Sequence, residues 1–274
     1  MKKSLLAILL LCFALVGCNK STNNQAAGEA TAEGEDNKIV IGVSPVPHGE
    51  IINGLSEQFK EAGLDVEVVT FDDYIQPNEQ LAAGDLDANY FQHGPYLDEF
   101  CKQNNLDLVS IGNVHIEPIA LYSDKIKDVS ELKDGDEIII PNDPSNGGRA
   151  LILLDKIGII KLKDNTNLLS TENDIAENPK NIKIVPMEAQ NIPNTYTDAA
   201  AAVINSNYAI GADLNPNSDA LVVEDIDSPY ANLVAVRNGE ENQEKFKKLM
   251  EVLQSEDSKK FIEEKYDGAI IPAF

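Results

Sequence analysis

Short apolar runs with a period of two alternate with stretches of helical period from Lys38 almost to the C-terminus. KIVIGV (38–43) reads as a first strand, closed by Ser44-Pro45-Val46-Pro47. From about His48, Ile51, Ile52, Leu55, Phe59 and Ala62 share one helical face, with Gly63 as the stop. Residues 65–71 alternate as a second strand, and Pro77 opens a short helix that ends at Gly84. A strand at 87–91 and a helix from Pro95 to about Lys102 follow, then strands at 106–111 and 118–122. The pattern restarts beyond Ser123: a short helix at 129–132, then a strand, a corner and a helix between Glu137 and Gly158. Strands at 181–186 and 220–224, with an alanine-rich stretch at 198–205 between them, precede a late strand at 232–237. Two helices, 241–255 and 257–266, close the chain. Strands alternating with helices predict an α/β protein with parallel sheets covered on both faces. The restart at Ser123 and the return at Asn232 predict two lobes, residues 38–122 plus 232–274 and residues 123–231, with a ligand cleft between them.

The N-terminus follows a different rule. Met1-Lys2-Lys3, an apolar run from Leu5 to Val16 and Gly17-Cys18 make a secretory signal over residues 1–17, too short to span a bilayer comfortably. Leu15-Val16-Gly17-Cys18 resembles the bacterial lipobox, which predicts a lipid on Cys18 and a cell-membrane anchor facing away from the cytoplasm. Residues 19–37 carry no aromatic or β-branched aliphatic residue and predict a tether with an average reach of roughly 20–25 Å.

Charge and cysteine content narrow the partners. The net charge of −24 becomes −26 once Lys2 and Lys3 leave with the signal. Such a chain repels nucleic acid and anionic headgroups, so no nucleic-acid partner is expected. With Cys12 in the signal and Cys18 used for lipid, Cys101 is left alone, and neither a disulfide nor a zinc motif can be built from it.

Candidate chemistry gathers at corners between elements. In EIIIPNDPSNGGRALILLDKIG (137–158) a buried strand feeds a helix through a glycine-containing turn. The helix N-terminus and Arg149 in its first turn could form a seat for a small carboxylate. Pro, Asn, Asp and Ser are also ordinary turn and cap residues, and on local spacing alone that plainer reading is ahead. NYFQHGPYL gathers Tyr90, Phe91, His93 and Tyr96 in a chain of eight Tyr, eight Phe and no Trp. FDDYIQPNEQL adds Phe71 and Tyr74, and VINSNY adds Asn205, Asn207 and Tyr208. Phe71 and Tyr90 read as core, whereas Tyr74 and His93 sit among turn residues where either role is open. His48, His93 and His115 are far apart; His115 and Glu117 alone share a strand-face spacing, so metal ligation is the weaker reading. There is no G-x-S-x-G, HExxH or catalytic cysteine context, and no catalytic residue or cofactor is expected.

Five segments carry a resemblance: VTFDDYIQPNEQLAAGDLDANYFQHGPYL, VSIGNVHIEPIALYSDKIK, IIIPNDPSNGGRALILLDKIGIIKLKD, AVINSNYAIGADLNP and EDIDSPYANLVAVR. From about Ile39 onward the chain resembles the NlpA-type family, the methionine-binding lipoproteins of bacterial ABC importers. The resemblance implies a two-lobed, type II periplasmic-binding fold that captures L-methionine and delivers it to the permease subunits of an importer. By position it implies that Arg149 meets the ligand carboxylate with Asn146 beside it. Tyr74, Phe91, His93 and Tyr96 would line the side-chain slot. Asn205 and Asn232 would hold the polar head, with Tyr208 as a neighbour. Where this corner reads Asn-Gly-Gly-Arg, some members have Asn-Leu-Gly-Arg, and Gly94 stands where a lysine is common. Alternatives in the same class are a receptor for another amino acid or a short peptide; a metal-binding receptor and an adhesive surface lipoprotein are the readings outside it.

Overall fold

The structure is a computed structural model that describes residues 37–225 and 229–274. The signal, Cys18 and nearly all of the tether lie outside the described residues. The chain lays down two mixed sheets. The first takes β1 (Lys38–Val43), β2 (Asp65–Thr70), β3 (Ala88–His93) and β4 (Leu108–Ile116). The second takes β5 (Ala120–Tyr122), β6 (Glu137–Pro141), β7 (Lys183–Met187), β8 (Ala201–Ile204) and β9 (Ala220–Val223). Then β10 (Ala231–Arg237) and β11 (Ile271–Pro272) return to the first. The strand orders are β11-β4-β10-β3-β1-β2 and β9-β5-β8-β6-β7.

Alternation within the strands explains the layers. In β1, Ile39, Ile41 and Val43 pack on one face, beneath α1 (Glu50–Gly54) and α2 (Ser56–Glu61) and the last two helices, while Val40 joins Leu81, Leu86 and Leu97 on the other. In β6, Ile138 and Ile140 enter one cluster and Ile139 the opposite one. Both sheets are thus buried on two faces, which requires helices on both sides. These are α3 (Gln76–Ala83), α4 (Gly94–Asn104), α5 (Pro144–Lys156), α6 (Ser206–Gly211), α7 (Glu244–Leu253) and α8 (Glu256–Tyr266), besides shorter turns.

Four expectations change. The sheets are mixed rather than parallel, because β10 enters antiparallel between β3 and β4, and β5 runs antiparallel to β8 and β9. Strand β5, expected in the first lobe, hydrogen-bonds within the second sheet, so the change of sheet falls near residues 117–119. β4 extends to Ile116 instead of stopping at Ile111; Gly112 (φ 154°) lies where its register with β10 shifts, and the strand continues past it. The helix expected from His48 to Ala62 is broken at Leu55 (φ −101°, ψ 13°) into α1 and α2. The chain crosses between the sheets at residues 117–119 and returns to the first sheet between β9 and β10; Glu117 in the first crossover and Glu224 just after β9 matter below.

Candidate functional site

A cavity with about 330 Å³ of atom-free space, part of it continuous with solvent, lies between the sheets. It sits beyond the carboxyl ends of β3, β6 and β8, where open α/β sheets leave a crevice. Tyr74, Phe91, His93, Tyr96, Asn146, Arg149, Asn205 and Asn232 all line it. Tyr208 does not. Its ring packs behind Tyr74 with centroids 5.0 Å apart, and its hydroxyl donates to the Asp72 carbonyl (2.9 Å). Gln92, Glu117, Ser206 and Asn207 complete the lining.

One wall is aromatic. Tyr74, Phe91 and Tyr96 stand with ring centroids 5.7–6.0 Å apart, a geometry that favours edge-on or tilted contacts. The hydroxyl protons are spent inside the protein: Tyr74 donates to Oδ1 of Asn207 (2.6 Å), and Tyr96 to the Tyr74 carbonyl (2.8 Å). Tyr74 follows β2 of the first sheet and Asn207 lies on α6 beside the second, so this bond spans the cleft.

The opposite wall is polar and begins at the α5 corner. Asp143 caps the helix by accepting from the Asn146 N–H (2.9 Å), and both its oxygens accept from Nδ2 of Asn146 (3.1 and 3.0 Å). Burial raises the pKa of Asp143, against these bonds. Oδ1 of Asn146 accepts from Nε2 of His93 (3.1 Å) and Nδ2 of Asn205 (2.8 Å). Nδ1 of His93 accepts from the Tyr96 N–H (3.2 Å), so its hydrogen sits on Nε2. Burial, aided by Arg149, lowers the His93 pKa to about 3 and keeps the ring neutral. Gly148, a helical turn position, admits no side chain, since a Cβ would lie 2.2 Å from the Leu168 carbonyl oxygen.

Arg149 is 2% exposed and stacks over Tyr230, 4.2 Å from the ring centroid. Its fork is largely occupied. Nε donates to both oxygens of Glu224 (3.0 and 3.1 Å), and Nη2 donates to the Glu117 carbonyl (2.7 Å) and to Glu224. Nη1 is the nitrogen that makes no hydrogen bond among the described residues. Sequence reasoning gave Arg149 a whole fork for a carboxylate; the structure leaves one corner of it, because Glu224 holds the other edge. No local signal marks Glu224, which lies 75 positions away.

Behind the cavity, Nε2 of His48 meets Oδ1 of Asn232 (3.0 Å) and Oε1 of Glu117 (3.1 Å), and Nε2 of His115 meets the same Glu117 oxygen (2.8 Å). The Tyr90 hydroxyl bonds Nδ1 of His115. Burial lowers His48 to about 4 and His115 to about 3, and raises Glu117. Donor atoms of His48, His115 and Glu117 lie within 4.8 Å of one another, the arrangement among the described residues that could hold a metal ion. Except for Nδ1 of His48, which has no hydrogen-bond partner among the described residues, their ring nitrogens are engaged within the cluster and with Tyr90 and Asn232, which is the behaviour of a buried hydrogen-bond network.

Two mixed sheets joined by two crossovers, with a polar and aromatic cavity between them, define a solute-binding protein. Residues 39–274 match the family model for the NlpA lipoprotein. The chain belongs to that family. It is 46% identical over 248 residues to the D-methionine-binding lipoprotein MetQ of Salmonella typhi, covering 89% of this chain and 92% of the relative. With the protein of the same name from Escherichia coli (strain K12) it shares 43% over 261 residues, 94% of this chain and 92% of the relative. Among solved structures, a nutrient-binding protein from Burkholderia cenocepacia bound to methionine superposes with a TM-score of 0.84 at 44% identity, covering 86% of this chain and all of that one.

Proposed function

We propose that this lipoprotein captures methionine outside the cytoplasm and delivers it to the permease of an ABC importer. The observation that carries the reading is a pair of complementary polar atoms in one buried cavity lining. Nη1 of Arg149 is a charged donor that makes no hydrogen bond among the described residues, and Oδ1 of Asn205 is a buried acceptor without a partner there. An unpaired buried acceptor costs about 1–3 kcal/mol, so Asn205 is poised for a ligand that donates. An α-amino acid brings both complements, a carboxylate for Arg149 and an ammonium for Asn205. Tyr74, Phe91 and Tyr96 then offer ring faces to a thioether, each contact worth about 0.3–1.5 kcal/mol. The names of the relatives and the methionine in the Burkholderia structure support the same ligand.

In this reading the nine residues Tyr74, Phe91, His93, Tyr96, Asn146, Arg149, Asn205, Tyr208 and Asn232 form the site, with Asn146 and Tyr208 acting through Asn205 and Tyr74. The protein is a receptor and performs no chemistry on its ligand. A lipid on Cys18 holds it at the cell membrane. Mass spectrometry of the small molecule retained through native purification, followed by calorimetry of the stripped protein with L- and D-methionine, tests the proposal. Retention and tight binding of methionine are expected, and the two titrations assign the enantiomer. A retained peptide or a different amino acid, with no heat from either methionine, would overturn it. Globomycin-sensitive processing and mass-shifted N-terminal peptides test the anchor.

A further inference from the structure

The two asparagines at the cavity turn opposite ends of their amides toward it, and each orientation can be traced back to a buried carboxylate. On one side the chain starts at Asp143. It takes Nδ2 of Asn146, so Asn146 presents Oδ1, and Asn205 must answer with Nδ2. His93 fixes the same order independently, because its Nδ1 is an acceptor and its Nε2 therefore donates to that Oδ1. Asn205 is left with its carbonyl oxygen unpartnered.

On the other side the chain starts at Glu117. Its Oε1 is shared by Nε2 of His115 and Nε2 of His48. The Tyr90 hydroxyl occupies Nδ1 of His115, so Nε2 of His115 donates to Oε1; with that oxygen accepting, Nε2 of His48 is the donor of its own pair and Asn232 meets it with its carbonyl, 3.0 Å away. Nδ2 of Asn232 makes no hydrogen bond among the described residues, and Asn232 lines the cavity. Without His48, no hydrogen bond among the described residues distinguishes the two ends of that amide.

We propose that His48 is a positioning residue for ligand binding: it holds Asn232 with its N–H2 toward the cavity, beside Nη1 of Arg149, as a two-donor seat for the ligand carboxylate. Asn205 supplies the acceptor for the ammonium. This deepens the methionine reading and rests on it. The polar wall then has a fixed sense, donors at Arg149 and Asn232 and an acceptor at Asn205, which sets which way round a zwitterion enters. The neutral state of His48, enforced by complete burial, keeps it a donor through one nitrogen only.

A double-mutant cycle in calorimetry tests the claim with full-length protein stripped of ligand. His48→Phe and Asn232→Ala each weaken methionine binding by about 10- to 100-fold, the range for one bond to a charged group. If His48 acts through Asn232, the double variant binds no more than about threefold weaker than Asn232→Ala alone. Multiplying losses would overturn the proposal. His48→Gln, whose amide N–H2 stands where Nε2 was, recovers most of the loss, whereas a merely structural role predicts no such recovery. Melting curves of the free variants report folding. A second readout needs no variant: long-range nitrogen–proton correlation spectra of 15N-histidine-labelled protein should show His48 with its hydrogen on Nε2. A hydrogen on Nδ1 alone would overturn the inference whatever the ligand. If the wild type ignores methionine but retains another amino acid, the ligand assignment fails by itself, and the cycle is decided with the retained amino acid.

Discussion

Arg149→Met removes the guanidinium while keeping an unbranched side chain of similar reach, and its consequences can be worked separately for stability and affinity. In the free protein it strands Glu224, whose side chain is 14% exposed, together with the Glu117 carbonyl and the face of Tyr230. Breaking a buried ion pair from one side costs about 3–5 kcal/mol. Water reaches Glu224, so the lower end, about 3 kcal/mol, applies. For a chain of this size that lowers the melting temperature by roughly 6–12 °C. For the ligand the loss is smaller than a free arginine would give. Nη1 alone is open, and one charged bond is worth about 1.5–3 kcal/mol, or roughly 10- to 150-fold in affinity. Circular dichroism melts and calorimetry on stripped protein, well below the variant's melting temperature, measure both. A folded variant within about threefold of wild-type affinity would refute the placement of the carboxylate at Arg149. Destabilisation below about 1 kcal/mol would refute the account of the Glu224 pair.

Three further outcomes follow from the same geometry. Asn205→Ala should weaken methionine by about 10-fold or more in calorimetry, while the free protein loses only the Nδ2 bond to Asn146, about 0.5–1.5 kcal/mol; an affinity loss no larger than that stability loss would mark Asn205 as structural. Tyr74→Phe keeps the ring and deletes the bond to Asn207 across the cleft, so stopped-flow release should accelerate about fivefold, for about 1 kcal/mol, and an unchanged rate would count against the latch. His93 is lowered to about 3 from 6.5, so between those values the unfolded chain binds the extra proton, and its contribution to stability is present above pH 6.5 and lost as pH falls. Urea midpoints of ligand-free His93→Gln should therefore fall less steeply from pH 6 to pH 5, by about 1 kcal/mol per pH unit; a parallel slope would contradict a neutral buried His93.

Local rules expose the α5 corner, because an N-cap aspartate, a helix-opening proline and Arg149, which the structure places in the second turn rather than the first, all lie within seven residues. They also place the aromatic wall, since Tyr74, Phe91 and Tyr96 sit at the ends of recognisable strands and helices. What spacing cannot carry is pairing at a distance. Glu224 lies 75 positions from Arg149, and Asn232 lies 184 from His48. Neither bond leaves a periodic trace, and both depend on how β10 re-enters the first sheet. The length of β4 was hidden for a related reason: Gly112 and Asn113 interrupt its apolar pattern, and cross-strand bonds to β10 hold it extended. His115 and Glu117 suggested a metal ligand pair by spacing, but the arrival of His48 and Tyr90 makes them members of a hydrogen-bond chain. Tyr208, which the resemblance implies as a neighbour of Asn205 and Asn232, lies three residues along α6 from Asn205 and packs behind Tyr74.

Arg149 touches both strips of backbone on which the two halves of the molecule would swing, through the Glu117 carbonyl on one and the Glu224 carboxylate on the other. Capture and bending therefore share a single side chain. A substitution at Glu224, which does not line the cavity, would shift the guanidinium and register as an affinity defect. Conversely, a filled site would stiffen the joint itself. Fluorescent reporters placed at residues 118 or 225 would then read occupancy without entering the cavity, and the joint becomes the natural place to build a sensor.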